Sequence, residues 1–251
     1  MFRVVVPARF GSTRLPGKVL LPLAGKPLLQ WACERGQASG AAQVLVATDD
    51  PRIAEAARGF GVEAVMTSAE HPSGTDRIAE VARLKQWSDD HVVVNLQADE
   101  PLMPPELIDQ VDALLETHAW AAIATLSSSL TSLAELLDPS VVKVVTDPAG
   151  RALYFSRAPI PWDRDAAPAG FSSQESFAGA RRHIGLYAYR VGAVRRLERL
   201  APTPLERLER LEQLRALESG LAIVVGEAVT RPGQDVNTAE DLEKVRAILE
   251  R

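Results

Sequence analysis

The stretch VVVPARFGSTRLPGK, residues 4–18, decides how this chain is read. Residues 2–6 are an apolar, β-branched run that suits a buried strand. The run breaks into a turn-forming segment with two glycines and two prolines that carries Arg9, Arg14 and Lys18, with Arg3 just before them and hydroxyls on Ser12 and Thr13. Guanidinium forks match phosphate oxygens two at a time, lysine supplies a point charge, and glycine lets backbone amides approach closely. The segment therefore reads as an anion cradle. It is not a P-loop: five residues separate Gly11 from Gly17, Pro16 stands where the second glycine belongs, and Val19 after Lys18 has no hydroxyl. The dinucleotide fingerprint cannot be laid on Gly11 and Gly17 either.

Outward from that strand, short apolar runs alternate with helical patterns. Strands are expected at 44–48, 62–66 and 92–97, and helices at 28–39, 51–60 and 74–86. Such alternation implies crossovers and a largely parallel sheet buried on both faces, with ligands at the carboxyl ends of its strands. The strand ends at 7–14, 48–50 and 98–101 are then the first places to look. The second half is less regular, with strands expected at 121–127, 141–146, 152–156, 184–189 and 222–226. A long excursion spans 158–179, helices are expected at 191–200 and 204–219, and a last helix starts from Thr238. Helix 204–219 carries leucine at 205, 208, 211, 214 and 217; steps of three drift about 60° each and sweep about 240°. That helix is expected to bury both sides, either within the monomer or against a second copy in a homodimer.

The 251 residues, 46% hydrophobic and 24% charged, describe an ordinary globular enzyme-sized chain with room for a core. A net charge of −5 argues against a nucleic-acid partner, so the basic residues are a local device. Cys33 is the single cysteine, which excludes an intramolecular disulfide and a cysteine-built zinc site. No run approaches eighteen apolar residues and no signal-like N-terminus is present, so a cytoplasmic protein with no membrane partner is expected.

Three further constellations stand out. VVVNLQADEP, residues 92–101, ends a strand with Asp99 and Glu100, oxygen ligands of the kind magnesium prefers beside phosphates. Neighbouring strand side chains point to opposite faces, so one of the two, Asp99, is expected to reach the metal. TRPGQDVNTAEDL, residues 230–242, offers Asp235 and Asn237 as a second metal-side group, with Thr238 as a helix cap. RRHIGLYAYR, residues 181–190, sets His183 among two arginines and two tyrosines, a combination that suits a carboxylated, hydroxyl-rich ligand; His71 and His118 show no patterned acidic partner.

The segments PARFGSTRLPGK, HPSGTDR, VNLQADEP, ALYFSRAPIPWDRD, HIGLYAYR and LERLEQLR, in this order, resemble the 3-deoxy-manno-octulosonate cytidylyltransferase (CMP-Kdo synthetase) family over nearly the whole chain. The resemblance implies an α/β fold: a three-layer, Rossmann-like, mostly parallel sheet of the nucleotide-diphospho-sugar transferase type. It also implies a smaller β-rich lobe for sugar binding and dimerisation, inserted at about 128–220 of a single 1–251 domain. It implies Mg2+-dependent transfer of CMP from CTP to an acidic eight-carbon sugar, 3-deoxy-D-manno-octulosonate (Kdo), for lipopolysaccharide biosynthesis. Residues carried over for the nucleotide are Pro7, Ala8, Arg9, Ser12, Arg14, Lys18, Ser73, Gly74, Thr75, Arg77 and Gln97, with Arg9, Lys18 and Asp99 at the chemistry. Those for the sugar are Arg14, Arg157, Arg164, His183, Tyr187, Glu212 and Gln213, and for the metal Asp99, Asp235 and Asn237. Two departures are visible: Ala98 stands where the family has glycine, and Asn237 where it has a metal-binding aspartate. Alternatives are a related acid sugar, such as sialic acid or an amino-Kdo, and a catalytically impaired nucleotide-binding module.

Overall fold

Val4, Val5 and Val6 are wholly buried, so both faces of the first strand are covered. The computed structural model describes residues 1–11, 15–166, 169–170 and 173–250; Ser12 and Arg14 lie outside these. In chain order the elements are β1 (Phe2–Ala8), a 3-10 turn (Lys18–Leu20), β2 (Pro22–Leu23), β3 (Lys26–Pro27), α1 (Leu28–Gln37), β4 (Gln43–Thr48), α2 (Pro51–Gly59), β5 (Glu63–Met66), α3 (Gly74–Leu84), β6 (Val92–Asn95) and α4 (Pro105–Thr117). They continue with β7 (Ile123–Ser129), α5 (Leu133–Leu137), β8 (Lys143–Thr146), β9 (Ala152–Ser156), β10 (Arg181–Arg190), α6 (Val191–Glu198), α7 (Pro204–Glu209), α8 (Gln213–Glu218), β11 (Ile223–Glu227) and α9 (Ala239–Leu249).

The chain divides into two compact units: Met1–Ala113 with Leu186–Arg199 and Val229–Arg251, and Leu114–Gly185 with Leu200–Ala228. In the first, β1 pairs in parallel with β4 and β6, and β4 with β5. Residues 187–190 of β10 add an antiparallel edge, Tyr187 opposite Asn95. Successive side chains of β1 meet different helices. A side-chain carbon at Gly36 of α1 would come 3.3 Å from Val4 Cγ1, whereas one at Gly74 of α3 would come 3.1 Å from Pro7 Cγ. Even positions of β1 thus face α1 and odd positions face α3, which gives a helix layer on each side of a mostly parallel sheet. Pro51 opens α2 behind an Asp50 cap, and Ser73 opens α3 with a capping box to Asp76. A cluster of Leu23, Leu28, Val236, Leu242 and Val245, with Trp31 packed on it, seats α9 against α1.

In the second unit β7 and β11 run parallel, while β8 is antiparallel to β9 and to residues 181–182 of β10. The expected helix 204–219 is two helices instead. Arg210 takes the left-handed conformation (φ 55, ψ 45) and closes α7. The break has a tertiary partner: Arg157 Nε, just past β9, donates to the Glu209 carbonyl at 2.7 Å, so an acceptor that would have continued the helix is engaged from outside it. The leucine sweep is therefore cut; Leu211 and Leu214 are buried, but Leu208 is 80% exposed. Helices α4 and α5 and the β2–β3 ribbon come in addition to the sequence expectation, and β10 begins three residues before the expected 184–189. Among the described residues no helix is long and apolar enough to cross a membrane.

Candidate functional site

The carboxyl end of β1 and the amino end of α3 meet around a cavity of about 210 Å³ in the first unit. Pro7, Ala8 and Arg9 line it from the strand side, Ser73, Gly74 and Arg77 from the helix side, and His71, Pro72 and Gln97 complete the wall. The missing side chain at Gly74 allows the contact between helix and strand, because any Cβ there would press on the Pro7 ring. The Ser73–Asp76 capping box fixes the helix start: Ser73 Oγ accepts from the Asp76 amide at 3.2 Å, and Asp76 accepts from the Ser73 amide at 3.2 Å. A helix start beside such a cavity presents backbone donors and the positive end of a dipole to an anion.

Of the residues expected around a nucleotide, Pro7, Ala8, Arg9, Ser73, Gly74, Arg77 and Gln97 all line this cavity. Thr75 is buried in the first turn of α3. Arg77 is also a buried strut: Nη1 donates to Thr67 Oγ1 at 2.9 Å and to the Ser68 carbonyl at 3.1 Å, and Nη2 lies 3.2 Å from Asp49. The sequence shows no patterned acidic partner for His71, and the structure gives it one off any pattern. Its Nε2 lies 2.7 Å from Glu80 Oε2, and no helical or strand spacing links a loop residue to a partner one loop and two turns away.

Two residues beyond Gln97, a charged node joins three distant segments. Lys18 Nζ donates to Asp99 Oδ2 at 2.6 Å and to the Val236 carbonyl at 2.9 Å. The Val236 amide returns a bond to the Asp99 carbonyl, and Gly233 passes so close to Leu102 that a side chain there would collide with its Cβ. Asp235 and Asn237 sit side by side in an irregular segment, not a strand, with Asn237 Nδ2 donating to Asp235 Oδ2 at 2.5 Å. Thr238 caps α9 with Asp241, as the sequence implied. Burial, with Asp99 and then Asp235, pushes the Glu100 carboxyl up to about 8.

The second unit holds most residues expected at a sugar. His183 meets Thr125 Oγ1 at 3.0 Å, and that hydroxyl donates to the Ile184 carbonyl at 3.0 Å, so the imidazole proton resides on Nε2. Burial, reinforced by Arg182, pushes the His183 pKa down to about 3. The Phe155 ring stands edge-on to it at 5.0 Å. Arg157 is committed to the Glu209 and Pro139 carbonyls. Glu209, which the sequence reading did not single out, accepts from Ser156 Oγ at 2.5 Å and from the Arg157 amide at 2.9 Å. Glu212 and Gln213 open α8, with Glu212 3.7 Å from Arg215, and Arg164 is exposed. Tyr187, in the first unit, stacks on Tyr189 at 5.7 Å.

A family model described as cytidylyltransferase matches residues 3–223. The chain is 53% identical over 248 residues to the 3-deoxy-manno-octulosonate cytidylyltransferase of Thioalkalivibrio sulfidiphilus, covering 99% of this chain and 98% of the relative. It is also 53% identical over 254 residues to the protein of the same name from Marinobacter nauticus, covering 100% and 97%. Among solved structures, a CMP:2-keto-3-deoxy-manno-octonic acid synthetase complexed with CTP matches with a TM-score of 0.90 and 40% identity over 100% of this chain and 99% of the other. A cytidylyltransferase from Leptospira borgpetersenii matches with a TM-score of 0.63 over 99% and 86%, and at 18% identity that likeness is one of fold.

Proposed function

The chain belongs to the cytidylyltransferase family, and to its 3-deoxy-manno-octulosonate branch; from that premise we infer that it transfers CMP from CTP to the anomeric hydroxyl of Kdo. The anomeric oxygen bonds to the α-phosphorus, the bond from that phosphorus to the bridging oxygen breaks, and pyrophosphate leaves together with the hydroxyl proton, a step in building lipopolysaccharide. The observation that carries the reading is the cavity where the end of β1 meets the start of α3, in a chain whose fold follows that of an enzyme solved with CTP.

Both substrates are anions, so the protein's task is to hold them together and stabilise charge as the phosphoryl group moves. Arg9 and the α3 start supply donors to phosphate oxygens. Two of the three Lys18 N–H donors are engaged among the described residues, and the third suits a phosphate oxygen. His183, kept neutral by burial and meeting Thr125, is the group on this unit that the resemblance assigns to the sugar.

Magnesium fits the donor set of Asp99, Asp235 and Asn237. Glu100 Oε2 is buried without a hydrogen-bond partner among the described residues, and burial, followed by the field of Asp99 and Asp235, raises its pKa, so the two aspartates set up a negative field in this corner that a cation would relieve. When bound, magnesium would neutralise charge on the triphosphate oxygens. Asn237 gives a neutral oxygen where the family has a charged one, and Asp235 beside it supplies the charge. A homodimer belongs to this reading, supported by Leu208 and Leu153 at 80% and 59% exposure; light scattering at micromolar protein measures it.

The test is pyrophosphate release from CTP with Kdo, compared with sialic acid, amino-Kdo and the other nucleoside triphosphates. Release with CTP and Kdo is expected to dominate. CTP binding with no pyrophosphate from any acid sugar would leave only the impaired-module alternative.

A further inference from the structure

Glu80 stands on α3 one turn after Arg77, and the two reach the same loop. Arg77 holds Thr67 Oγ1 and the Ser68 carbonyl. Glu80 Oε2 accepts from the Ser68 amide at 2.8 Å and meets His71 Nε2 at 2.7 Å, with side-chain exposures of 15% for the glutamate and 16% for the histidine. Its other oxygen takes a contact from Arg83 at 3.3 Å. The loop pinned in this way, 67–72, ends in His71 and Pro72, which line the cavity.

A carboxylate so near a cavity suited to an anion repels that anion unless its charge is engaged elsewhere. Here it is turned onto the back of the imidazole and onto a backbone amide. Because a carboxylate only accepts, His71 Nε2 carries the proton, and the ring is fixed both in rotation and in tautomer.

We propose that Glu80 is a positioning residue for the nucleotide, acting through His71: it locks the imidazole into the cavity wall and, with Arg77, sets the wall's distance from the end of β1. This rests on the assignment of the cavity to CTP. Glu80 touches no substrate, so its removal loosens nucleotide binding and leaves the sugar unaffected.

Isothermal titration of CTP into the wild-type protein, Glu80→Ala, Glu80→Gln, His71→Ala and the Glu80→Ala, His71→Ala double variant tests it, with melting curves and KM for Kdo measured alongside. Glu80→Ala removes the acceptor shared by His71 and the Ser68 amide, whereas the carbonyl of Glu80→Gln keeps it. CTP affinity is expected to fall about tenfold in Glu80→Ala and to return to within about threefold of wild type in Glu80→Gln, with KM for Kdo within about twofold of wild type throughout. The double variant should bind CTP no more weakly than the worse single variant, because one unit is lost either way. Unchanged CTP affinity in Glu80→Ala, additive losses in the double variant, or equal weakening of CTP and Kdo would each overturn the proposal, the last by showing a general structural role. Wild-type protein that bound no CTP would remove the assignment of the cavity and this inference with it.

Discussion

Lys18 and Lys143 show how differently the two units use a cation. Lys18 is 13% exposed and lies against a carboxylate that is itself 26% exposed, with one backbone carbonyl beside it. Lys143 is wholly buried, has no carboxylate on its ammonium among the described residues, and donates instead to three carbonyls: Asp138 at 2.9 Å, Val141 at 2.6 Å and Arg157 at 2.7 Å. Burial lowers its pKa, which fits a charge held where water does not reach. The first arrangement can exchange partners when phosphate or a cation arrives. The second is held by three acceptors at once, and the Val141 carbonyl among them would be stranded in the interior without it. On the proposed function, one lysine is a working charge and the other a structural rivet.

The sharpest way to break that contrast is Lys18→Ala. It should lower kcat/KM for CTP by about 10²–10³-fold, the range typical of losing one preorganised electrostatic donor, while the melting temperature and far-UV dichroism stay near wild type. Near-normal turnover would end the working-charge account. Lys143→Met should do the opposite, lowering unfolding stability by about 2 kcal/mol in urea and leaving CTP affinity within about twofold. A Met variant as stable as wild type would show that the rivet is dispensable.

These two lysines also mark what the sequence could reveal. Buried apolar runs at 2–6, 44–48 and 92–97 announce strands, and Pro51, Ser73 and Thr238 announce helix starts, because each signal is local. The Lys18–Asp99 pair spans 81 positions and no periodicity encodes it; the resemblance to a family supplied both residues, but not that they meet. Lys143, one cation in a short β-branched run, looks like a surface lysine until carbonyls of two segments, 138–141 and 157, converge on it. The break at Arg210 is invisible for the same reason: no glycine or proline marks it, and the bond from Arg157 that accompanies it comes from 52 positions away.

Asp235→Ala refines the contrast at the exchangeable node. Activity at saturating magnesium should fall modestly, and the magnesium concentration for half-maximal rate should rise about tenfold, as for a weakened second ligand. An unchanged magnesium dependence would show that Asp235 does not stand in for the charge missing at Asn237.

The last effect lies in the second unit and shows only in acid. His183 is held neutral down to about pH 3 in the folded protein, against an ordinary value of 6.5. The unfolded chain therefore binds the extra proton between those values, and stability falls as pH drops from about 6.5 towards 3, by up to about 1.4 kcal/mol per pH unit. His183→Asn should flatten that limb of the stability curve, with a constant offset above pH 7 from the lost Thr125 and Phe155 contacts. An acid limb identical to wild type would mean that His183 is charged in the folded state.

The node at Lys18 has a further meaning in time. Val236, whose carbonyl holds the lysine, is translated 218 positions after it, and Asp99 only 81 after it. A nascent chain can thus pair lysine with aspartate early, yet it lacks Asp235, Asn237 and the α9 seat until synthesis has passed them. During translation the strand layer can therefore form before the proposed magnesium ligands exist, and on that reading productive CTP binding waits until residue 237 has been made.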